Sequence, residues 1–310
     1  MDKLKFSYMT NMWGQNMVFK KINNFEEWYE GDFNRAGYYK DWDSCLRYIA
    51  GAGFTGIELM WFNLPQILSQ FGSYEAFNEF IRERGIEKVT GIFGINFNAE
   101  NKQMHENIFR SQQMLIDALA AFGGNNLVLM PAGQYYGAGP LTAEGLQNCV
   151  DCMNEIGRRA RSKGLWASIH NEFWCAINLK EHRAFLEATD PSCVAYCMDT
   201  AQITIMGEDS LDFYDTYHDR VTFLHLKDTV RPKASDEDRF APGAEFDDSG
   251  RRWFYEVGRG KIDFIGLWKL MKKHGYEGWV SIESDGTPDP AATTLLVSNY
   301  INTVLKPIYS

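Results

Sequence analysis

The sequence predicts an α/β fold, a closed (β/α)8 barrel that takes the whole chain, residues 1–310, as one domain. Three observations predict it. A short β-rich run followed by a longer segment with helical spacing recurs eight times along the chain. The strand-like runs are apolar almost throughout, as strands covered on both faces must be. Their polar exceptions collect at the C-terminal ends, where such barrels build their chemistry.

The elements follow in order. KFSYM (residues 5–9) reads as the first strand, and a long aromatic segment over 10–42 separates it from the helix-like WDSCLRYIAGAG. GIELM (56–60) is followed by SYEAFNEFIRERG, and VTGIFG (89–94) by MHENIFRSQQMLIDALAAFGG. LVLMPA (127–132) leads into LTAEGLQNCVDCMNEIGRRARSKG, after which WASIH (166–170) and VAYCMD (194–199) read as strands five and six. VTFLHLKD (221–228) precedes a second long loop, 229–257, and the helix-like FIGLWKLMKKHG; VSIES (280–284) closes the count, with a helical tail after Pro290. Gly53, Gly85, Gly123, Gly164 and Gly275 fall where a helix C-terminus calls for a left-handed residue. Loops as long as 10–42 and 229–257 inside a compact domain serve as lids or binding elements.

Composition narrows the function. Thirty-one basic against 41 acidic residues leave a net charge of −10, which repels a polyphosphate backbone, so nucleic acid is not an expected partner. No apolar run reaches the ~18 residues of a membrane span, and MDKLKFSYMT carries no secretory pattern, so the expected location is cytoplasmic. Cys149 and Cys152 are spaced like half a zinc knuckle, but no matching second pair follows; all six cysteines read as free thiols.

The strand ends carry Glu58, His170 with Glu172, Asp199, His225 with Lys227 and Asp228, and Glu283 with Asp285. Asp199, His225 and Glu283 end strands six, seven and eight and therefore converge on one side of the rim. Such oxygen and imidazole ligands suit one divalent ion, Mn²⁺ first among Mn²⁺, Co²⁺, Mg²⁺ and Zn²⁺. At strand five, His170 and Glu172 are two residues apart and point the same way.

EATDPSCVAYCMDTAQITIMGEDSLDFY, DRVTFLHLKD, VGRGKIDF, GYEGWVSIESD and GFTGIELM resemble the strand six, seven, eight and two regions of the xylose-isomerase-like TIM-barrel superfamily. That superfamily contains sugar isomerases and epimerases as well as inosose dehydratases. The resemblance runs over about residues 44–300. It implies metal ligands at Asp199, His225 and Glu283, and a removal of the proton next to a carbonyl through an enediolate. Most epimerases of the family have a glutamate at the strand-five end where this chain has His170-Asn171-Glu172; the dehydratase-like branch has histidine there. We therefore expect Glu172 as fourth ligand and His170 as base, with the two roles open to exchange.

Around this centre, Lys227 reads either as donor to the developing oxyanion or as the partner of Asp228, and Arg259 either as a substrate contact or as half of a loop ion pair. Glu58 and Trp13 are expected against the substrate, Trp13 as the first of nine aromatics in the long loop with Phe19, Phe25, Trp28, Tyr29, Phe33, Tyr38, Tyr39 and Trp42. The expected activity is a metal-dependent sugar isomerase or epimerase acting on an unphosphorylated keto-sugar. The alternative is a lyase using the same site for β-elimination, either inosose dehydration or cleavage of a 3-oxo-glycoside as in C-glycoside deglycosidase catalytic subunits. The family also implies an oligomer, and the deglycosidase reading a small second subunit.

Overall fold

The computed structural model describes residues 4–13, 41–133, 140–241 and 252–309. Eight parallel strands close on themselves: β1 (Leu4–Met9), β2 (Gly56–Met60), β3 (Lys88–Ile95), β4 (Asn126–Met130), β5 (Trp166–Ile169), β6 (Val194–Asp199), β7 (Val221–Leu226) and β8 (Gly278–Ile282). Around the ring they follow chain order, with β1 paired to β2 on one side and β8 on the other. This is the (β/α)8 barrel that the alternation predicts. GIELM and VAYCMD are buried at every position, which is why neither shows a polar alternation.

Helices pack outside, among them α1 (Trp42–Gly51), α2 (Asn63–Phe71), α3 (Tyr74–Arg82), α4 (His105–Phe122), α5 (Ala143–Ser162), α6 (Leu179–Ala188) and α7 (Thr200–Ile205). Side-chain oxygens start many of them: Ser73 accepts from Ala76 N–H, Thr142 from Gly145, Asp263 from Gly266 and Asp289 from Ala292. All five glycines read as helix stops have positive φ, from 68° at Gly275 to 87° at Gly53.

The structure departs from the pattern at identifiable places. Between β2 and β3 it has two helices where one is expected, because Pro65 is the third residue of α2 and is tolerated in a first turn. β4 ends at Met130 rather than 132, since Pro131 has no N–H for the ladder. β7 ends at Leu226 rather than 228; Asp228–Thr229 pair antiparallel with Phe254–Tyr255 instead. The Asp228 carboxylate is the cause, accepting backbone N–H groups of Thr229, Gly258, Gly260 and Ile262 and thereby folding VGRGKI around itself.

The second long loop contains a short helix, Asp236–Phe240. Of the nine aromatics in the first, Phe19, Phe25, Trp28, Tyr29, Phe33, Tyr38 and Tyr39 lie outside the described residues. Trp42 opens α1. All six cysteines are free and buried. Among the described residues no helix is long and apolar enough to cross a membrane.

Candidate active site

The register of the barrel assembles the site. Asp199, last residue of β6, stands directly opposite His225 on β7. Glu283 follows the last residue of β8, its N–H bonded to Leu226 O at 3.2 Å, and His170 follows β5, its N–H bonded to Leu129 O at 2.9 Å. One side-chain atom from each of His170, Asp199, His225 and Glu283 lies within 4.8 Å of the others, and all four residues are buried.

Three of the four have their second polar atom held by a neighbour, so the first is aimed inward. Glu58 takes His225 Nε2 with both oxygens, at 2.9 and 3.0 Å. The Gln202 N–H donates to Asp199 Oδ1 at 2.8 Å, and Lys227 Nζ donates to Glu283 Oε1 at 2.8 Å. What remains is His170 Nε2, Asp199 Oδ2, His225 Nδ1 and Glu283 Oε2, none with a hydrogen-bond partner. They converge: His170 Nε2 is 3.4 Å from Asp199 Oδ2 and 4.0 Å from Glu283 Oε2, and His225 Nδ1 is 2.8 Å from Glu283 Oε2.

Four buried polar atoms left orphaned around one point are costly, and two carboxylates facing each other are more so. A cation satisfies all four at once. The charge count agrees: Glu58, Glu172, Asp199 and Glu283 are buried and Asp285 is a quarter exposed, against one buried ammonium at the site among the described residues, Lys227. Two imidazoles with two carboxylates make a donor set that fits a divalent metal, and the carboxylate behind His225 is the usual device for orienting a ligating imidazole.

Three expected ligands, Asp199, His225 and Glu283, are thus brought together, and His170 joins them in the position expected of Glu172. Glu172 sits behind the His170 ring, Oε1 at 3.5 Å from Nδ1, with its other oxygen taken by the Gln202 amide. Glu58, expected against the substrate, lies wholly buried behind His225. Trp13 packs edge-on to Tyr8, ring centroids 5.7 Å apart, and Arg259 is exposed on the loop that wraps Asp228. Lys227 does not pair with Asp228. It binds Glu283 and Asp285, lies 3.7 Å from Asp199 Oδ2 and crosses the Phe254 ring at 3.9 Å.

Burial and neighbours divide the protonation states. Burial holds the His170 imidazole well below its usual range, helped by the nearby His225, so it is neutral and able to ligate. Burial raises Glu172 well above the ordinary carboxylate range, even with Lys227 working against it. Burial would lower Lys227, but Asp285 and Glu283 more than offset it and keep the ammonium charged. Burial pushes Glu283 up, yet Lys227 and His225 prevail and bring it down to about 2.

Two residues at the centre were not singled out from the sequence: Gln202, and Asp285 as a partner of Lys227. Asp285 accepts from both Lys227 and the Asn11 amide. For Gln202 a signal existed, because Asp199-Thr200-Ala201-Gln202 has the spacing of a helix capping box.

Residues 46–298 match the family described as xylose isomerase-like TIM barrel. The chain belongs to that family. An inosose dehydratase from Clostridium perfringens is 23% identical over 273 residues, covering 84% of this chain and 88% of that protein. Inosose dehydratase from Lacticaseibacillus casei is 27% identical over 162 residues, and there the chain spans about half the length, 53%, of the relative it matches. Solved structures with the same fold include an L-ribulose 3-epimerase, TM-score 0.70 at 14% identity over 98% of this chain and 95% of that one. Another is the IolI protein with a bound zinc atom, TM-score 0.67 at 16% identity over 99% and 98%.

Proposed function

We propose that this family member is a divalent-metal-dependent lyase that removes water from a cyclic polyhydroxy-ketone, as an inosose dehydratase does. The observation that carries the reading is a buried ammonium at the centre and outside the four-residue set, Lys227, held between Glu283 and Asp285. Inverting a carbon centre calls for two proton acceptors, one per face, whereas an elimination calls for one acceptor and one acid. The second arrangement is the one that a charged ammonium suits.

His170, Asp199, His225 and Glu283 would hold the metal, whose two-nitrogen, two-oxygen environment favours Zn²⁺, Co²⁺ or Mn²⁺ over Mg²⁺. When bound, the ion supplies Lewis-acid stabilisation of negative charge developing beside the carbonyl, an effect of several kcal/mol. A carboxylate of the site takes the proton from the carbon next to the carbonyl, leaving an enediolate, and later releases that proton to solvent. Lys227 gives a proton to the hydroxyl on the following carbon, which departs as water with its C–O electron pair. The product is an enol that tautomerises to a diketone, and Lys227 regains its proton from solvent. Glu283 and Asp285 hold the Lys227 ammonium in place and charged, and general acid–base assistance of this kind contributes about 10² to 10⁴ in rate. The bound zinc of IolI and the name of the Clostridium perfringens relative support the reading from outside the chain.

The test is proton NMR in D₂O of the Zn²⁺- or Mn²⁺-loaded protein with inosose. Loss of water with diketone formation is expected. Deuterium entry beside the carbonyl without water loss would move the chain to the epimerases, and neither event would refute the substrate class.

A further inference from the structure

We propose that Gln202 is a positioning residue that ties Glu172 away from the centre and so reserves the strand-five ligand position for His170. The inference rests on the metal reading above and concerns which side chain fills one place in it.

Alternation along the strand gives His170 and Glu172 the same face, so both are candidates for a single coordination position. A free carboxylate ordinarily wins near a hard cation, being charged where the imidazole is not. Gln202 decides otherwise. It is 1% exposed and is the third residue of α7, the helix that Asp199 caps. Its Oε1 accepts the Phe173 backbone N–H at 2.9 Å, and because that N–H can only donate, the amide orientation follows and Nε2 must face Glu172, to whose Oε2 it donates. The carboxylate is thus clamped on one oxygen. Its other oxygen faces the rear nitrogen of His170 at 3.5 Å, on the opposite side of the ring from Asp199 and Glu283.

The clamp itself is rigid. Asn171 Nδ2 donates to Ile177 O at 2.9 Å, Cys175 N to Glu172 O at 2.9 Å, and Ala176 N to Gly133 O at 2.9 Å, so the turn carrying Glu172 is fixed from both ends. Phe173 packs on Trp253 with centroids 4.5 Å apart. Gln202 also donates its own N–H to Asp199 Oδ1, at 2.8 Å. One residue therefore sets the free oxygen of a ligand and removes a competing ligand. In a capping box the glutamine would turn back to the cap's own N–H; here its side chain is spent on Glu172 and Phe173. The consequence is metal choice: two imidazoles favour Zn²⁺ and Co²⁺, and exchanging or supplementing one with a carboxylate shifts preference toward Mg²⁺.

The experiment needs no substrate. Co²⁺ is added to the metal-free full chain, its visible spectrum is recorded, and Zn²⁺ and Mg²⁺ affinities are measured by calorimetry. The wild type should give the intense bands of low-coordinate Co²⁺ and prefer Zn²⁺. Gln202→Leu should lose band intensity as Glu172 swings in and raises the coordination number, and its Zn²⁺/Mg²⁺ preference should fall about tenfold, the scale on which outer-shell partners act. Gln202→Leu combined with Glu172→Gln should restore the wild-type spectrum, which a mere packing defect would not do. Gln202→Met, of similar length, serves if the leucine variant does not fold. A Gln202 variant with the wild-type spectrum and metal preference overturns the inference. A wild type that binds neither Co²⁺ nor Zn²⁺ overturns the metal reading itself, and this inference with it.

Discussion

Glu58 is the side chain whose replacement best separates holding the metal set from touching substrate. It is fully buried and gives both oxygens to His225 Nε2, at 2.9 and 3.0 Å. Glu58→Gln keeps the size and one acceptor but removes the charge. A hydrogen bond to a charged group contributes about 1.5–3 kcal/mol and a neutral one about 0.5–1.5, so the exchange should cost about 1.4 kcal/mol of the imidazole's orientation and basicity. That is about tenfold in metal affinity, within the range known for carboxylates behind ligating histidines. Chelator competition with Zn²⁺ or Mn²⁺ reads the affinity directly, and steady-state kinetics at saturating metal read the rest. We expect the dissociation constant to rise about tenfold with KM unchanged. Affinity within twofold of wild type, or a KM that rises at saturating metal, would refute the argument and return Glu58 to the role of substrate contact.

Lys227→Met should leave deuterium exchange beside the carbonyl measurable by NMR while lowering water loss by about 10² or more, because the acid is removed and the acceptor is kept. It should also destabilise the fold, since Glu283 and Asp285 lose their ammonium; denaturant titration of the metal-loaded protein measures this. Stripping the metal with a chelator should abolish turnover and lower Tm by several degrees, with recovery on adding Zn²⁺. At a metal concentration one hundred times Kd the bound ion stabilises by about 2.7 kcal/mol, and an unchanged Tm in scanning calorimetry would count against a cation among these carboxylates. His182, away from this centre and bonded to the Tyr196 hydroxyl at 2.7 Å, is pushed down by burial from 6.5 to about 3. The unfolded chain therefore binds this proton more tightly, so stability is full above about pH 6.5 and falls toward pH 3 by up to about 1.4 kcal/mol per unit. His182→Phe should flatten that part of the acid unfolding curve.

What could be read in the sequence was whatever depends on position along one strand, and what could not was whatever depends on a partner from another. Asp199, His225 and Glu283 were legible because a buried strand that ends in a charged group needs a reason, and three consecutive strands doing so converge on one rim. The exchange of His170 for Glu172 was beyond that logic: the two share a face, and what separates them is an amide on α7. Glu58 shows the same limit more sharply. The β2–β3 register shifts between Ile57 and Glu58, and this irregularity sets Glu58 opposite Gly91. From there a carboxylate on β2 reaches a histidine on β7, two strands that are not neighbours in the ring. Neither the bulge nor the reach across the barrel leaves a mark on the alternation of apolar and polar residues. A strand-end rule therefore finds the ligands together with Glu58 and Asp285, while the roles of those two behind His225 and Lys227, and the part of Gln202, follow only from the closed three-dimensional ring.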